Sequence, residues 1–197
     1  MTLYDYDFAL AEKYGVIAGV DEAGRGPLAG DVYAAAVILP RGCVIEGVND
    51  SKKLSAKRRE ALFDEITSRA SAYCIATASV AEIEELNILN AAMLAMKRAV
   101  EGLNTTCGLV IVDGNKKPDI PFECIPVVKG DSTSQSIAAA SILAKVSRDR
   151  YMEELDRLYP EYMFSKHKGY GTKLHYEMLR KYGPSPVHRP SFLKKMH

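Results

Sequence analysis

Three apolar runs of strand length are each followed closely by an acidic residue, and this pattern restricts the fold more than any other feature of the chain. The runs are VIAGV (16–20), GLVIV (108–112) and CIPVV (124–128). GLVIV shows no alternation of apolar and polar residues, which is typical of a strand covered on both faces by helices. The pattern predicts an α/β fold with a mixed sheet flanked by helices.

The rest of the chain predicts strands first and then strands separated by helices, which also indicates an α/β layer structure. A length of 197 residues suffices for one domain with a substantial core and a small appendage. We expect a body over residues 1–160 and a basic extension, packed on it, over residues 161–197. The predicted strands span 15–21, 31–39, 72–79, 108–113 and 122–128, and the predicted helices span 55–70, 80–101, 132–158 and 172–182.

The predicted helix over 132–158 contains a long run of small and apolar residues, IAAASILAKV (137–146). Small side chains allow a helix to approach a sheet closely, so we expect its N-terminus near the strand ends. Ser132, Thr133 and Ser134 are natural N-cap residues for this helix, and Pro160 ends it.

The acidic residues that follow the apolar runs are Asp21 with Glu22, Asp113, and Asp131. Neighbouring strands bring their ends to one edge of a sheet, so these four carboxylates are expected to converge. Convergent carboxylates repel one another unless a cation lies between them, and oxygen-only ligand sets suit Mg²⁺ or Mn²⁺. Two such ions can clamp one phosphodiester for hydrolysis, so the pattern predicts metal-assisted phosphoryl chemistry.

Each of these acidic residues also has an ordinary structural explanation. Successive strand residues point to opposite faces, so Asp21 and Glu22 can share a site only if the strand ends or bends between them. Asp113 fits the start of a tight turn in VDGN, and Asp131 can complement the dipole of the helix that follows it. The coincidence of three runs, rather than any single residue, favours a shared site.

The glycine-rich turn formed by Gly24, Arg25 and Gly26 fits a contact with a sugar. Glycines let a ligand approach the main chain, whose N–H and C=O groups can bond the 2′-hydroxyl that distinguishes RNA from DNA. A tight turn between two strands is the alternative explanation.

Two further segments fit contacts with a nucleic acid. Lys52 and Lys53, in DSKKLS, are suited to phosphate groups, although the same segment also fits the capped start of a helix. Tyr170, between glycines in HKGYGT (167–172), can stack on a sugar or a base, although it also fits an ordinary loop tyrosine.

Basic residues are concentrated toward the C-terminus. From residue 166 onward there are eight Lys and Arg against one acidic residue, whereas the whole chain has a net charge of only +1. Such asymmetry suits a polyanion held by basic rims around an acidic centre, but solvated surface charge gives the same pattern. A second basic group in the body comprises Lys52, Lys53, Lys57, Arg58 and Arg59.

No segment approaches the ~18 apolar residues of a membrane helix. The segment MTLYDYDFALAEKYG (1–15) is polar and acidic and lacks the features of an export signal. We therefore expect a cytoplasmic protein without membrane contact, and a monomer.

The cysteines and histidines favour neither a zinc site nor a side-chain nucleophile. Cys43, Cys74, Cys107 and Cys124 form no CxxC pair and lie in or beside apolar runs, which predicts reduced, buried thiols. All four histidines follow residue 166, and no GxSxG pattern occurs.

Seven motifs, in their order along the chain, resemble bacterial type 2 ribonuclease H, the ribonuclease HII family. Each motif alone is weak, but the set is specific and covers nearly the whole chain. The motifs are DEAGRGPLAG (21–30), NDSKKLS (49–55), VDGN (112–115), KGD (129–131), IAAASILAKVSRDR (137–150), HKGYGT (167–172) and HRPSF (188–192).

The resemblance implies an RNase H-like mixed sheet flanked by helices, with a small C-terminal helical extension. It implies an endoribonuclease that hydrolyses the RNA strand of RNA–DNA hybrids and nicks 5′ of single ribonucleotides embedded in duplex DNA. The implied chemistry is two-metal-ion hydrolysis with Mg²⁺ or Mn²⁺, leaving 3′-hydroxyl and 5′-phosphate ends.

The motifs also imply residue roles. The metal-binding catalytic acids are Asp21, Glu22, Asp113 and Asp131. The substrate contacts are Gly24, Arg25 and Gly26 at the 2′-hydroxyl, Lys52 and Lys53 at phosphates, and Tyr170 at the junction between RNA and DNA.

Two other functions stay open at this point. A DNA nuclease of the same fold, of the junction-resolvase type, needs the acidic residues but neither the glycine-rich turn nor Tyr170. A non-catalytic module that binds hybrids is disfavoured, because uncompensated carboxylates beside a phosphate backbone weaken binding. Binding to a sliding clamp is also open, although SFLKKMH (191–197) contains no convincing clamp motif.

Overall fold

A computed structural model describes residues 2–194, so Lys195, Met196 and His197 of the predicted extension and of SFLKKMH lie outside the described residues. The strands are β1 Ile17–Ala23, β2 Val32–Ile38, β3 Ala72–Ala78, β4 Leu109–Asp113 and β5 Cys124–Val127. The helices are α1 Leu3–Tyr14, α2 Ala56–Arg69, α3 Val80–Leu86, α4 Ile88–Glu101, α5 Gln135–Leu158, α6 Phe164–His167, α7 Lys173–Tyr182 and α8 Pro190–Leu193. Short 3-10 turns occur at Ser51–Lys53, Gly130–Ser132 and Pro160–Tyr162.

The strands form one mixed sheet in the order β3-β2-β1-β4-β5. The first three strands along the chain pair antiparallel, whereas β4 and β5 join the other side of β1 in parallel. This confirms the predicted α/β fold with a mixed sheet and a helical C-terminal extension. Within residues 2–194, no helix is long and apolar enough to cross a membrane.

Helices cover both faces of the sheet, and the two cores explain the non-alternating strands. On one face α4 packs through Ala91, Ala92 and Ala95, and on the other α5 packs through Ala138 and neighbouring small residues. A Cβ atom at Gly19 in β1 would lie 2.2 Å from the carbonyl carbon of Ser136. The close approach of α5 to the sheet was predicted from its small residues and is confirmed.

Two helix predictions differ from the structure. The predicted helix over 80–101 is two helices, because Asn87 adopts φ 68° and its side chain accepts hydrogen bonds from the N–H groups of Leu89 and Asn90. Asn is enriched several-fold among the non-glycine residues that adopt a positive φ. Helix α5 begins at Gln135 rather than 132, with the predicted Ser134 as its N-cap.

Helix α1 was not predicted. It begins with a capping box between Thr2 and Asp5, a short-range pattern that the sequence does contain. Its buried Asp7 reaches the start of α5, where Oδ2 accepts from the N–H and the hydroxyl of Ser136, each at 2.7 Å. A carboxylate at a helix N-terminus is stabilised by the helix dipole, so α1 supports the position of α5.

All four cysteines are free thiols, as predicted. Cys43 and Cys124 are buried, whereas Cys74 and Cys107 are only partly buried. Burial raises the pKa of the Cys124 thiol to about 11, which makes it unreactive at neutral pH.

The C-terminal extension packs on the body through its own apolar cluster. Phe164 and Leu179 of the extension join Leu28 after β1 and Met152 in α5. The predicted helix over 172–182 is confirmed as α7, and two shorter helices, α6 and α8, flank it.

Three histidines of the extension form a buried cluster, in which His175 and His188 are joined by a hydrogen bond. The Ser185 N–H donates to His188 Nδ1 at 2.9 Å, and His175 Nδ1 lies 3.0 Å from the Tyr170 carbonyl oxygen. These partners fix both tautomers, so His188 Nε2–H donates to His175 Nε2 at 3.0 Å. His167 stacks on His175 with ring centroids 4.2 Å apart. Burial, together with repulsion between the neighbouring histidines, lowers the pKa of His175 and of His188 to about 4.

We expect the free energy of unfolding that these histidines contribute to be complete above pH 6.5 and lost as the pH falls toward 4. Their pKa is lower in the folded than in the unfolded chain, so the unfolded chain binds more protons in this range. Denaturant unfolding of the wild type and of His188→Gln at pH 7 and pH 4.5 checks this. The carboxylates with raised pKa act in the opposite direction in both proteins, so the histidine contribution is the difference between them: stability should rise less, or fall more, from pH 4.5 to pH 7 in the variant than in the wild type. Equal pH dependence in the two proteins would contradict it.

Candidate active site

Three aspartates converge at one edge of the sheet. β1 and β4 are parallel neighbours with Val20 opposite Val112, so Asp21 and Asp113 follow at the same edge. Asp131 lies in the 3-10 turn between β5 and α5. One carboxylate oxygen from each of the three lies within 4.8 Å of the others. An oxygen-only group of this size suits a hard divalent cation.

The main chain holds these aspartates close together. The Glu22 N–H donates to Asp21 Oδ1 at 2.7 Å, and the Asp131 N–H donates to Asp113 Oδ1 at 3.3 Å. A Cβ at Gly130 would lie 2.6 Å from Ile137 Cδ1 and 3.3 Å from Asp113 Oδ1. A glycine at this position therefore allows the turn that carries Asp131 to approach β4.

The carboxylates are electrostatically unfavourable in the absence of a cation. Burial, together with the charges of Glu22 and Asp113, raises the pKa of Asp21 well above its usual value. Burial and the charge of Asp113 likewise raise the pKa of Asp131. Burial lowers the pKa of Lys52, but Asp21, Asp50 and Asp131 outweigh this effect and raise it. The donor set and its mutual repulsion thus fit a bound divalent cation.

Glu22 lies outside this group of three, whereas the sequence predicted that all four acids converge. The strand does not end between Asp21 and Glu22, because β1 continues through Ala23. Successive strand side chains point to opposite faces, and Glu22 Oε1 accepts from Arg25 Nη1 at 3.3 Å. Burial raises the pKa of Glu22, while Arg25 opposes this rise.

A cleft of about 220 Å³ adjoins the aspartates. It brings together most of the residues predicted to contact substrate, although they are far apart in the chain. Its lining comprises Glu22, Ala23, Gly24, Arg25, Gly26, Ser51, Lys52, Ser141, Lys145 and Tyr170.

The predicted basic residues Lys52 and Lys53 differ in position. The largely exposed Lys52 Nζ lies 4.0 Å from Asp131 Oδ2, beside the acidic group. Lys53 does not line the cleft, and its Nζ donates to Ser132 Oγ at 3.1 Å. Both lysines therefore flank the turn that carries Asp131.

Gly24 and Gly26 are glycines for different structural reasons. Gly24 adopts φ 102°, and a Cβ there would lie 2.2 Å from Arg148 Nε. At Gly26 a Cβ would meet only the ring of Tyr170, at 3.7 Å. Protein packing therefore requires Gly24, whereas Gly26 keeps the space between the turn and Tyr170 open to the cleft.

Tyr170 presents a half-exposed ring at the other side of the cleft, 43% exposed. The main chain fixes its loop, since the Leu28 N–H donates to the Gly169 carbonyl at 2.8 Å. The cationic ends of Lys145 and Arg148 lie 6.0 and 5.9 Å from the ring centroid. These distances lie near the outer limit of cation–π contacts, and the exposed part of the ring is available for stacking.

Sequence analysis missed several polar residues around the cleft. Ser141, Lys145 and Arg148 stand at i, i+4 and i+7 of α5, so helical periodicity would have placed them on one face. Arg189 was counted among the basic residues of the tail, but it is completely buried. A count of charged residues cannot show whether an arginine is exposed at the surface or buried.

Comparison with known proteins shows the family of this chain. A family model described as Ribonuclease HII matches residues 18–195. The chain is similar to the ribonuclease HII of Caldicellulosiruptor bescii, with 57% identity over 187 residues that cover 95% of this chain and 91% of that protein.

Solved structures agree with the fold. The ribonuclease H2 of Pyrococcus horikoshii superposes with a TM-score of 0.74 at 28% identity, covering 89% of this chain and 93% of that one. The ribonuclease HII of Archaeoglobus fulgidus, solved as a complex with PCNA, superposes with a TM-score of 0.72 at 27% identity, covering 89% and 94%. The chain therefore belongs to the ribonuclease HII family and is a type 2 ribonuclease H, an endoribonuclease that acts on RNA–DNA hybrids.

Proposed function

We propose that Asp21, Asp113 and Asp131 hold the divalent cations on which this family depends, with Glu22 completing the site from the adjoining cleft. The single observation that carries this proposal is the convergence of three carboxylate oxygens within 4.8 Å. When bound, Mg²⁺ or Mn²⁺ acidifies a water molecule and stabilises the departing oxygen of the phosphodiester. The residues of the chain hold these ions, exclude other ligands and orient the strand to be cut.

Water is the nucleophile in this proposal. His167, His175 and His188 form the buried histidine cluster of the extension, where their ring nitrogens already have hydrogen-bond partners. The residues that line the cleft include Ser51 and Ser141, but the Ser141 hydroxyl donates to Ser51 Oγ at 2.8 Å without a histidine base. A serine without such a base is a poor nucleophile.

Selectivity for ribonucleotides arises at the turn and at Tyr170. The open space at Gly26 admits a sugar to the main chain of Gly24, Arg25 and Gly26, which can bond its 2′-hydroxyl. The half-exposed Tyr170 ring stacks beside the same sugar, at the step from RNA to DNA. This arrangement favours nicking 5′ of a single ribonucleotide in duplex DNA, with 3′-hydroxyl and 5′-phosphate products.

Phosphate contacts come from both parts of the chain. Lys52 and Lys53 hold the strand near the carboxylates. Residues 161–197 act as a substrate-binding extension on the body of residues 1–160, and their exposed basic residues include Lys166, Lys173, Arg180 and Lys181. Arg189 is excluded from this surface because it is buried.

A DNA duplex that holds one ribonucleotide tests the proposal. The wild type should cut it only in the presence of Mg²⁺ or Mn²⁺ and should leave the all-DNA duplex of the same sequence intact. Cutting of a four-way junction or of the all-DNA duplex would instead indicate a DNA nuclease. Binding without cutting in the presence of either ion would indicate a non-catalytic module.

Replacement of Tyr170 by Ala should reduce cleavage of the single-ribonucleotide duplex by about tenfold or more, because base or sugar stacking is worth about 1–3 kcal/mol. Cleavage of a long RNA–DNA hybrid should fall less, since at most binding positions along the hybrid there is no RNA-to-DNA junction for the ring to contact. Initial rates on both substrates measure this, with Tyr182→Ala as a control at an exposed tyrosine of α7 that does not line the cleft. Equal losses on the two substrates would argue against a junction contact.

A further inference from the structure

Arg189 is a completely buried cation whose side chain bonds only to main-chain carbonyls of one turn. Its Nη2 donates to Gly24 O at 2.7 Å and to Gly30 O at 2.6 Å, and its Nη1 donates to Pro27 O at 2.8 Å and to Arg25 O at 3.2 Å. Its Nε also donates to Gly30 O, at 2.8 Å. One guanidinium thus fixes four carbonyls between residues 24 and 30.

Burying a charged guanidinium costs free energy that a residue serving only to fill space would not cost. No carboxylate among residues 2–194 lies within ion-pair distance of Arg189. Burial, with a further effect of the neighbouring Arg148, lowers its pKa to about 9, so the group stays charged at neutral pH. A buried charge without a carboxylate in ion-pair contact is costly, although Asp31 partly compensates for it. An apolar side chain of similar volume would avoid that cost but would leave the four carbonyls without a donor. The retained charge points to the carbonyls themselves as the reason for the residue.

The fixed carbonyls determine where the neighbouring N–H groups point. In a planar trans peptide, the C=O of one residue and the N–H of the next point in opposite directions, and the described chain contains no cis peptide. With the carbonyls of Gly24 and Arg25 directed at Arg189, the N–H groups of Arg25 and Gly26 point away from it, on the side where these residues line the cleft. Within residues 2–194, neither N–H has a hydrogen-bond acceptor.

The main chain of the C-terminal extension holds Arg189 at this position. The Gly30 N–H donates to Val187 O and the Arg189 N–H donates to Leu28 O, each at 2.8 Å. These bonds form a short antiparallel bridge in which Ala29 lies opposite His188. The extension therefore contacts the turn through main-chain hydrogen bonds as well as through the Arg189 side chain.

We propose that Arg189 is a positioning residue for ribonucleotide selectivity, because it orients the turn so that the N–H groups of Arg25 and Gly26 can donate to the 2′-hydroxyl. The inference rests on the proposed function of this turn. It assigns to the extension a role in selectivity that is separate from the binding of phosphates by its surface lysines.

Binding without divalent ion tests this role, because no strand is then cut. We would measure the affinity for a duplex with one ribonucleotide and for the all-DNA duplex of the same sequence, in EDTA, for the wild type, Arg189→Lys and Arg189→Gln. The affinity ratio of the two duplexes should fall at least about fivefold in both variants. Affinity for the all-DNA duplex should change less than about twofold, because its phosphate contacts are retained.

Arg98→Lys is the matched control. Arg98 also bonds a main-chain carbonyl, that of Thr77 at 2.9 Å, but it does so through α4 and β3, away from the cleft. Its affinity ratio should equal that of the wild type.

The outcomes separate the inference from the function on which it rests. If the wild type shows no preference for the ribonucleotide, the proposed role of the turn fails. If the wild type shows the preference and a folded Arg189 variant keeps it, Arg189 is only structural and the inference is overturned. If neither variant folds, as judged by circular dichroism and denaturant unfolding, the residue determines the fold and the inference is overturned as well.

Discussion

Asp113→Asn should reduce cleavage of an RNA–DNA hybrid by about a thousandfold or more in the presence of Mg²⁺, while the fold stays intact. The substitution keeps the shape of the side chain but removes one of the three converging charges. Initial rates with saturating hybrid measure the loss. Asp119→Asn, an exposed acid in the loop after β4, is the matched control and should keep full activity.

The same variant has a second expected result that does not depend on catalysis. The charge of Asp113 contributes to the raised pKa of Asp21, Glu22 and Asp131, so it is a repulsive neighbour of all three. Without divalent ion, the free energy of unfolding of Asp113→Asn should therefore equal or exceed that of the wild type. With Mg²⁺, the wild type should gain more stability than the variant, because ion binding stabilises only the folded state. Normal turnover in the variant would exclude Asp113 from the site.

Gly19→Ala should destabilise the fold by about 3 kcal/mol or more, a large effect for one methyl group. The added Cβ would lie 2.2 Å from Ser136 C and 2.4 Å from Ile137 N, which are main-chain atoms that no rotamer change can move. Helix α5 would have to shift away from β1, and the turn that carries Asp131 would shift with it. Denaturant unfolding measures the loss.

Gly42→Ala separates this steric effect from backbone strain. A Cβ at Gly42 would meet nothing within 4 Å, but the residue adopts φ 79°. Strain alone should cost about 1–2 kcal/mol. If Gly19→Ala lowers the free energy of unfolding by no more than this, α5 can shift away from the sheet at little cost.

Local pattern was sufficient to predict the carboxylate site in outline. Asp113 ends an apolar run that forms a strand parallel to β1, and neighbouring parallel strands bring their ends to one edge of the sheet. The orientation of Glu22 was not predictable in this way. It depends on how far β1 continues and on Arg25, three residues later, and strand ends are poorly defined by sequence.

Contacts between distant segments account for the other errors. Asp7 looked like one more acid of a polar N-terminal segment, and only its contact with Ser136 explains why α1 packs where it does. Arg189 looked like part of a basic surface, and its environment depends on a turn that lies more than 150 residues earlier in the chain. Asn87 is different, since an Asn between two helical patterns is a local sign of a break that the sequence analysis did not use.

The order of these segments along the chain has a consequence for biosynthesis. Asp21 gains its partners only when β4 and the turn at Gly130–Ser132 have been made, and the turn at residues 24–30 gains its guanidinium only when residue 189 has left the ribosome. Pairings of such long sequence separation form slowly, since the intervening chain must first be closed into a loop. A growing polypeptide would therefore carry no assembled ion site until β4 and the turn at Gly130–Ser132 have been made, and its turn at residues 24–30 would gain the Arg189 hydrogen bonds later still.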